Sequence, residues 1–144
     1  DPRWRSPCFA PSDGARAPQP GDRIGRIAQF CEQSIGVLAE IRRRLGPVDL
    51  TLMKVGAYGD TWLDIHMDPE SAVQAHLDLG ASVLLPVHWA TFDLSYHAWE
   101  EPIVRTLAAA TARDVTVVTP RVGEVVEFGA PFANTAWYAR QGTP

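Results

Sequence analysis

Four histidines in the sequence, His66, His76, His88 and His97, are the residues best suited to chemistry, since imidazole accepts, donates or ligates near neutral pH. Three of them, His66, His88 and His97, lie within two polar and aromatic clusters. The first holds Tyr58, Asp60, Trp62, Asp64 and His66, and the second holds His88, Trp89, Thr91, Asp93, Tyr96 and His97. Imidazole is also the commonest metal ligand, and a His at the end of a strand has its orientation fixed by the scaffold. That reading applies to His88, which can equally be a loop residue bonding a carbonyl. His66 stands two residues before Asp68, so its ring can lie across a helix N-terminus, where the macrodipole disfavours imidazolium; a plain surface loop residue is the other reading. His76 falls inside a helix, on the side of Ala72 and Val73, and reads as structural. His97 takes no assignment. The aromatic set Trp62, Trp89, Phe92, Tyr96 and Trp99 can wall a pocket for an apolar or lipid-like substrate or simply fill loop core.

The elements that must position these residues are legible in the punctuation. Residues 1–22 hold five prolines and two glycines and read as an irregular arm. The stretch 24–45 has near-helical apolar spacing and is stopped by Gly46-Pro47. Its end, Arg42-Arg43-Arg44, can touch phosphate but fits a helix C-terminus complementing its dipole. The run V-D-L-T-L-M-K-V (48–55) predicts a buried strand, ended by Gly56 and Gly59. Asp68, Pro69, Glu70 and Gly80 bound a helix over 69–79 as N-cap, first position, first-turn acid and C-terminal stop. A strand over 82–87 follows, placed at an edge or near its own end by Pro86. Beyond it the patterns give a helix from Pro102 to Ala112, a strand over 115–119 and a final short strand over 125–128. Strands alternating with helices predict an α/β fold with a parallel or mixed sheet. Ligand sites in such sheets gather outside the strand C-termini, which are the loops at 56–67 and 88–99.

Composition narrows the class. The sequence has 144 residues, 46% of them hydrophobic, enough for one globular domain with a core. A formal net charge of −4 offers no basic footprint for nucleic acid. No apolar run approaches the roughly 18–20 residues of a transmembrane helix, and the N-terminus lacks the pattern of a signal peptide. With two cysteines at unpaired spacing, the expected setting is a reducing cytoplasm. Twelve Arg against one Lys suggests a GC-rich bacterial coding bias. Phosphate-binding glycine loops, a G-x-S-x-G elbow and a Cys-His pair at useful spacing are absent from the sequence, so nucleophilic Ser or Cys catalysis has no support.

Three motifs in order, G-P-V-D-L-T-L-M-K-V-G-A-Y (46–58), W-L-D-I-H-M-D-P-E-S-A-V-Q-A-H-L-D-L-G (62–80) and L-P-V-H-W-A-T-F (85–92), joined by H-A-W-E-E-P (97–102), carry a resemblance. The chain resembles the C-terminal half of metallo-β-lactamase-fold hydrolases of the N-acylphosphatidylethanolamine phospholipase D-like and ascorbate-6-phosphate lactonase-like type. The resemblance runs from about Leu38 to Glu127. It implies an α/β chain forming half of a four-layer αββα fold, with two zinc ions activating a hydroxide against a phosphodiester or related ester. It implies that His88 is a zinc ligand and that His66 lines the site to orient substrate or move a proton. The matching domain is 23–130, flanked by an irregular tail at 131–144. The upstream H-x-H-x-D-H motif of the family is absent, as is the Asp of its G-D-[ST]-G segment; Asp22, Cys31 and Glu32 are the nearest substitutes, in contexts that do not match. Ala90 replaces the Gly of H-W-G-T-F, a change expected to require only that the position tolerate a Cβ. Zinc needs at least three protein ligands, so an active enzyme requires a missing N-terminal half. The competing expectation is a catalytically incomplete fragment or an interaction module whose exposed sheet drives self-association. A third, a metal-free small-molecule-binding domain, is favoured if His66 and His88 lie far apart.

Overall fold

The computed structural model describes residues 27–30, 35–61, 66–128, 132 and 134–139. The expectations placed on the arm at 1–22 and on Asp22, Cys31, Glu32, Trp62 and Asp64 lie outside these residues. The described elements run β1 (Ile27–Phe30), α1 (Ile35–Leu45), β2 (Leu50–Lys54), α2 (Pro69–Leu79), β3 (Val83–Val87) and α3 (Glu101–Thr111). The three strands form a parallel sheet in the order β1-β2-β3. The architecture is therefore α/β, as the alternation of patterns predicts.

The α2 boundaries are those expected, for the reasons expected. The Asp68 carboxylate accepts the Ser71 N–H at 2.7 Å, Pro69 needs no donor partner at the first position, and Gly80 closes the helix at φ 65°. Arg43 and Arg44 pair with Glu40 within the last turns of α1, and the Arg42 side chain lies against Gly80, so the basic run is structural.

Three expectations are corrected. The helix expected over 24–45 begins at Ile35, because Ile27–Phe30 pairs with β2 in parallel register, Ile27 to Leu50 and Phe30 to Met53. Four residues, I-A-Q-F, do not distinguish one helical turn from a short strand, and pairing with β2 decides between them. The strand expected over 115–119 reduces to one parallel bridge, Leu84 to Val117. Beyond it, the Thr119 N–H and the Val117 carbonyl are taken by the Asn134 side chain, at 2.9 and 2.6 Å, where a further strand partner would sit. No strand forms over 125–128 among the described residues: Val125 is 83% exposed, and Phe128 packs against the core from a turn.

The sheet separates two apolar layers. On one face Met53 and Leu84 pack with Leu38 of α1, Ala72, Val73 and Leu79 of α2 and Ala110 of α3. Leu50 and Val83, paired in register, turn to the other face with Val118, covered by Phe128 and Phe132. Each fully buried Val or Leu contributes on the order of 1.5–3 kcal/mol, so the helix-covered face is the main anchor of β2 and β3. His76 belongs to this layer. It is buried on α2 with Nδ1 2.7 Å from the Thr51 hydroxyl of β2, which fits its structural reading.

Candidate functional site

The C-terminal ends of β2 and β3 lie side by side, and the Val55 N–H continues their ladder by donating to the Val87 carbonyl at 3.1 Å. The chain then turns sharply on both strands. Ala57, His88 and Ala90 adopt positive φ values of 58°, 64° and 59°, a region that costs an L-residue roughly 1–2 kcal/mol. Such strain clusters where the backbone must aim a side chain. The expectation for Ala90 is corrected here: the position demands the left-handed region, which a glycine adopts without that cost.

His88 and His66 come together at this rim. Their ring centroids are 5.5 Å apart with planes tilted by 43°. His66 reaches this position from just before the α2 N-cap, and His88 from the first residue beyond β3. The third expectation, which a wide separation of the two histidines would have favoured, gains no support from this approach. The Trp89 indole donates to the Pro86 carbonyl at 3.0 Å, using a carbonyl at the strand end to fix the ring next to His88.

His97, unassigned from sequence, faces the β2 end. Its Nε2 accepts the Ala57 N–H at 2.9 Å, and its Nδ1 lies 3.1 Å from the Ala98 carbonyl. An accepting Nε2 leaves the proton on Nδ1, which then donates to Ala98. The ring stacks on Tyr58 with centroids 4.4 Å apart. The Tyr58 hydroxyl donates to Glu101 at 2.6 Å, and burial together with this carboxylate pushes the phenol pKa up. The same bond, with Arg105, holds the Glu101 carboxyl below its ordinary value. Arg105 sits 4.8 Å over the Tyr58 ring and donates to both oxygens of Glu70, at 3.0 and 2.6 Å. The N-termini of α2 and α3 are thus tied to the loop after β2.

Two cavities flank His88. One of about 290 Å³ is bordered by Gly56, His88, Phe92, Leu94, His97 and Trp99. The other, of about 350 Å³, is bordered on the opposite side by Thr119, Arg121 and Trp137. The aromatic set is only partly the one expected. Trp89 stacks on Trp137 at 5.3 Å and meets Tyr138 edge-on at 5.6 Å, and Trp99 meets Trp137 at 6.3 Å, whereas Phe92 and Tyr96 are exposed. Trp137 and Tyr138 lie in the tail read as irregular; two adjacent large aromatics in polar surroundings were the available signal. Lys54, fully buried at the end of β2, was also passed over, although a lone Lys in an apolar strand is conspicuous.

Zinc is tested against these residues by its need for at least three protein ligands. The donor chemistry of His88 and His66 suits the ion, but among the described residues no three His, Cys, Asp or Glu side chains are grouped to hold one. The described part of the chain therefore does not fit a complete zinc site.

The α/β scaffold agrees with comparisons to known proteins. Residues 31–89 match the family model described as "Beta-lactamase superfamily domain". The chain is 50% identical over 96 residues to an uncharacterised protein of Mycobacterium tuberculosis (strain ATCC 25618 / H37Rv), covering 65% of this chain and 26% of that protein. It is 29% identical over 105 residues to the N-acyl-phosphatidylethanolamine-hydrolyzing phospholipase D 1 of Caenorhabditis elegans, covering 68% of this chain and 29% of the other. The outer membrane protein RomA of Klebsiella pneumoniae is 49% identical over 43 residues, 30% of this chain and 33% of that one. The chain thus spans between about a quarter and a third of the length of these curated relatives. The matched stretch, residues 31–89, is consistent with an α/β domain of the beta-lactamase superfamily. No helix among the described residues is long and apolar enough to cross a membrane.

Proposed function

We propose that this chain is the C-terminal part of a zinc-dependent metallohydrolase of the N-acylphosphatidylethanolamine phospholipase D-like type, acting on a phosphodiester or related ester of a small-molecule or lipid-like substrate. The observation that supports this reading is the 5.5 Å approach of the His66 and His88 rings at the C-terminal rim of a parallel sheet. In this reading His88 contributes one metal ligand, aimed by its left-handed backbone, and the remaining ligands come from outside the described residues. His66, carried to the rim just ahead of a helix N-terminus, orients the substrate or moves a proton beside it. The cavity of about 290 Å³ on the Phe92 and Leu94 side gives an apolar portion of substrate a place next to His88.

The experiment is equilibrium dialysis of the chain against zinc, wild type beside His88→Ala. A ligand-removing change is expected to weaken binding by at least about tenfold, since even supporting residues around a metal cost that much when replaced. Equal zinc retention by the two proteins contradicts the assignment of His88. Hydrolysis of bis(4-nitrophenyl) phosphate by the protein joined to its N-terminal half, wild type beside His88→Ala, then tests the substrate class.

A second reading is favoured by the incomplete ligand set: a non-catalytic module that associates through exposed apolar side chains. Phe92, Leu94 and Tyr96 are 73%, 61% and 95% exposed on the loop after β3. Sedimentation velocity separates the two, since this reading requires self-association that Phe92→Ser and Leu94→Ser abolish.

A further inference from the structure

The loop after β2 touches the backbone of His88 directly. A Cβ built on Gly56 would stand 2.2 Å from the His88 carbonyl oxygen and 3.4 Å from the Trp89 Cα, so the Gly56 backbone is the surface against which the His88 turn rests. That surface is held from behind by a side chain forty residues further along. His97 Nε2 accepts the Ala57 N–H at 2.9 Å, the Ser95 hydroxyl donates to the Tyr58 carbonyl at 2.5 Å, and Tyr58 stacks on the His97 ring. On its other side the turn is fixed by the Trp89 indole on Pro86.

Ala57 sits at φ 58°, a conformation its own side chain does not favour, so the bond to His97 supplies an external reason for the loop to stay there. Without an acceptor at that place the Ala57 N–H loses its bond to His97, one restraint holding the loop at its positive φ is removed, and Gly56 confines the His88 carbonyl less firmly. A rotation of the His88 peptide swings its ring relative to His66.

We propose that His97 is a positioning residue: by accepting the Ala57 N–H it holds Gly56 against His88 and so sets the orientation of the His88 ring toward His66. It acts through the backbone of the β2 loop, 2.9 Å from Ala57, and not by contact with a reacting group. The inference rests on the functional reading of His88 for its significance, but the coupling itself is a matter of geometry that can be read without metal or substrate.

The test uses the chain labelled with 15N throughout and 13C in its histidine rings. In the wild type, a scalar coupling across the hydrogen bond between the Ala57 amide nitrogen and His97 Nε2 is expected; its absence overturns the proposal with no variant required. His97→Phe keeps a ring on Tyr58 and removes the acceptor, whereas His97→Gln returns an amide oxygen close to the position of Nε2. The expected result is that the Ala57 amide and the His88 ring signals shift in His97→Phe and return toward wild type in His97→Gln, while His76 signals stay unmoved in both. Unchanged His88 signals in His97→Phe, or equal shifts in both variants, contradict the proposal. A zinc affinity insensitive to His88→Ala would instead remove the functional reading and leave this coupling intact.

Discussion

Gly56 and His88 are packed backbone to backbone, so closely that a methyl group on Gly56 would stand 2.2 Å from the His88 carbonyl oxygen. The contact joins the C-terminal end of β2 to that of β3 and leaves the backbone nowhere to move without breaking the turn that aims His88. Gly56→Ala is therefore expected to destabilise the chain by about 2 kcal/mol or more, in the upper part of the range for overpacking a closed contact. Urea unfolding measures this; a loss below about 0.5 kcal/mol would show that the two loops separate freely.

Ala90 lies two residues beyond His88 at φ 59°. Ala90→Gly removes the left-handed penalty and adds the chain entropy of glycine, two effects of opposite sign. The steric term is the larger, so the variant is expected to be more stable by on the order of 0.5–1 kcal/mol. The midpoint of urea unfolding should rise with its slope unchanged. Ala to Gly changes usually destabilise, so even the sign is diagnostic.

His76 gives the chain an acid-sensitive core. Burial lowers its pKa from the ordinary 6.5 to about 4. The neutral ring is thus favoured in the folded chain, and the associated stability is fully present above pH 6.5. As pH falls from 6.5 toward 4 the unfolded chain takes up a proton that the folded one refuses, and about 3 kcal/mol is lost over that window. His76→Gln should flatten the stability profile between pH 4 and 6.5, measured as unfolding free energy at half-unit steps.

Arg105 holds the starts of α2 and α3 together through Glu70 and Glu101. The pair with Glu70 is two-pronged, but its side chains are 37% and 45% exposed, so solvent screens it. Arg105→Ala is expected to cost about 1 kcal/mol, and Arg105→Lys nearly as much because a single ammonium cannot reproduce the fork. Raising salt to 1 M should shrink the difference between wild type and Arg105→Ala.

What the sequence discloses depends on whether the signal is local. The α2 helix is legible to the residue because Asp68, Pro69 and Gly80 each act within one turn of their own position. β1 is not, since Ile27–Phe30 is a strand only by virtue of β2 lying next to it. The 115–119 segment falls short for a related reason: its text is β-rich, but it pairs with β3 around Leu84 alone, and on its far edge the Asn134 side chain, not a further strand, takes the Val117 carbonyl and the Thr119 N–H. At the site, the residue types of His66 and His88 are legible from motif order, while their approach is a product of the start of α2 meeting the end of β3. The bond from His97 to Ala57 spans forty residues and carries no periodicity at all. The Trp137 contact with Trp89 was hidden in the same way, by a tail whose composition reads as loop.

The four histidines offer a direct test of the central claim that His88 and His66 form one metal-responsive site. Zinc titrated into the chain, with histidine-ring resonances followed individually, reports on each ring in the same sample. The account predicts that the His88 and His66 signals shift together at zinc concentrations that leave the buried His76 unmoved. Shifts of His88 that leave His66 unchanged, or no response at His88 before His76 and His97 respond, would contradict it.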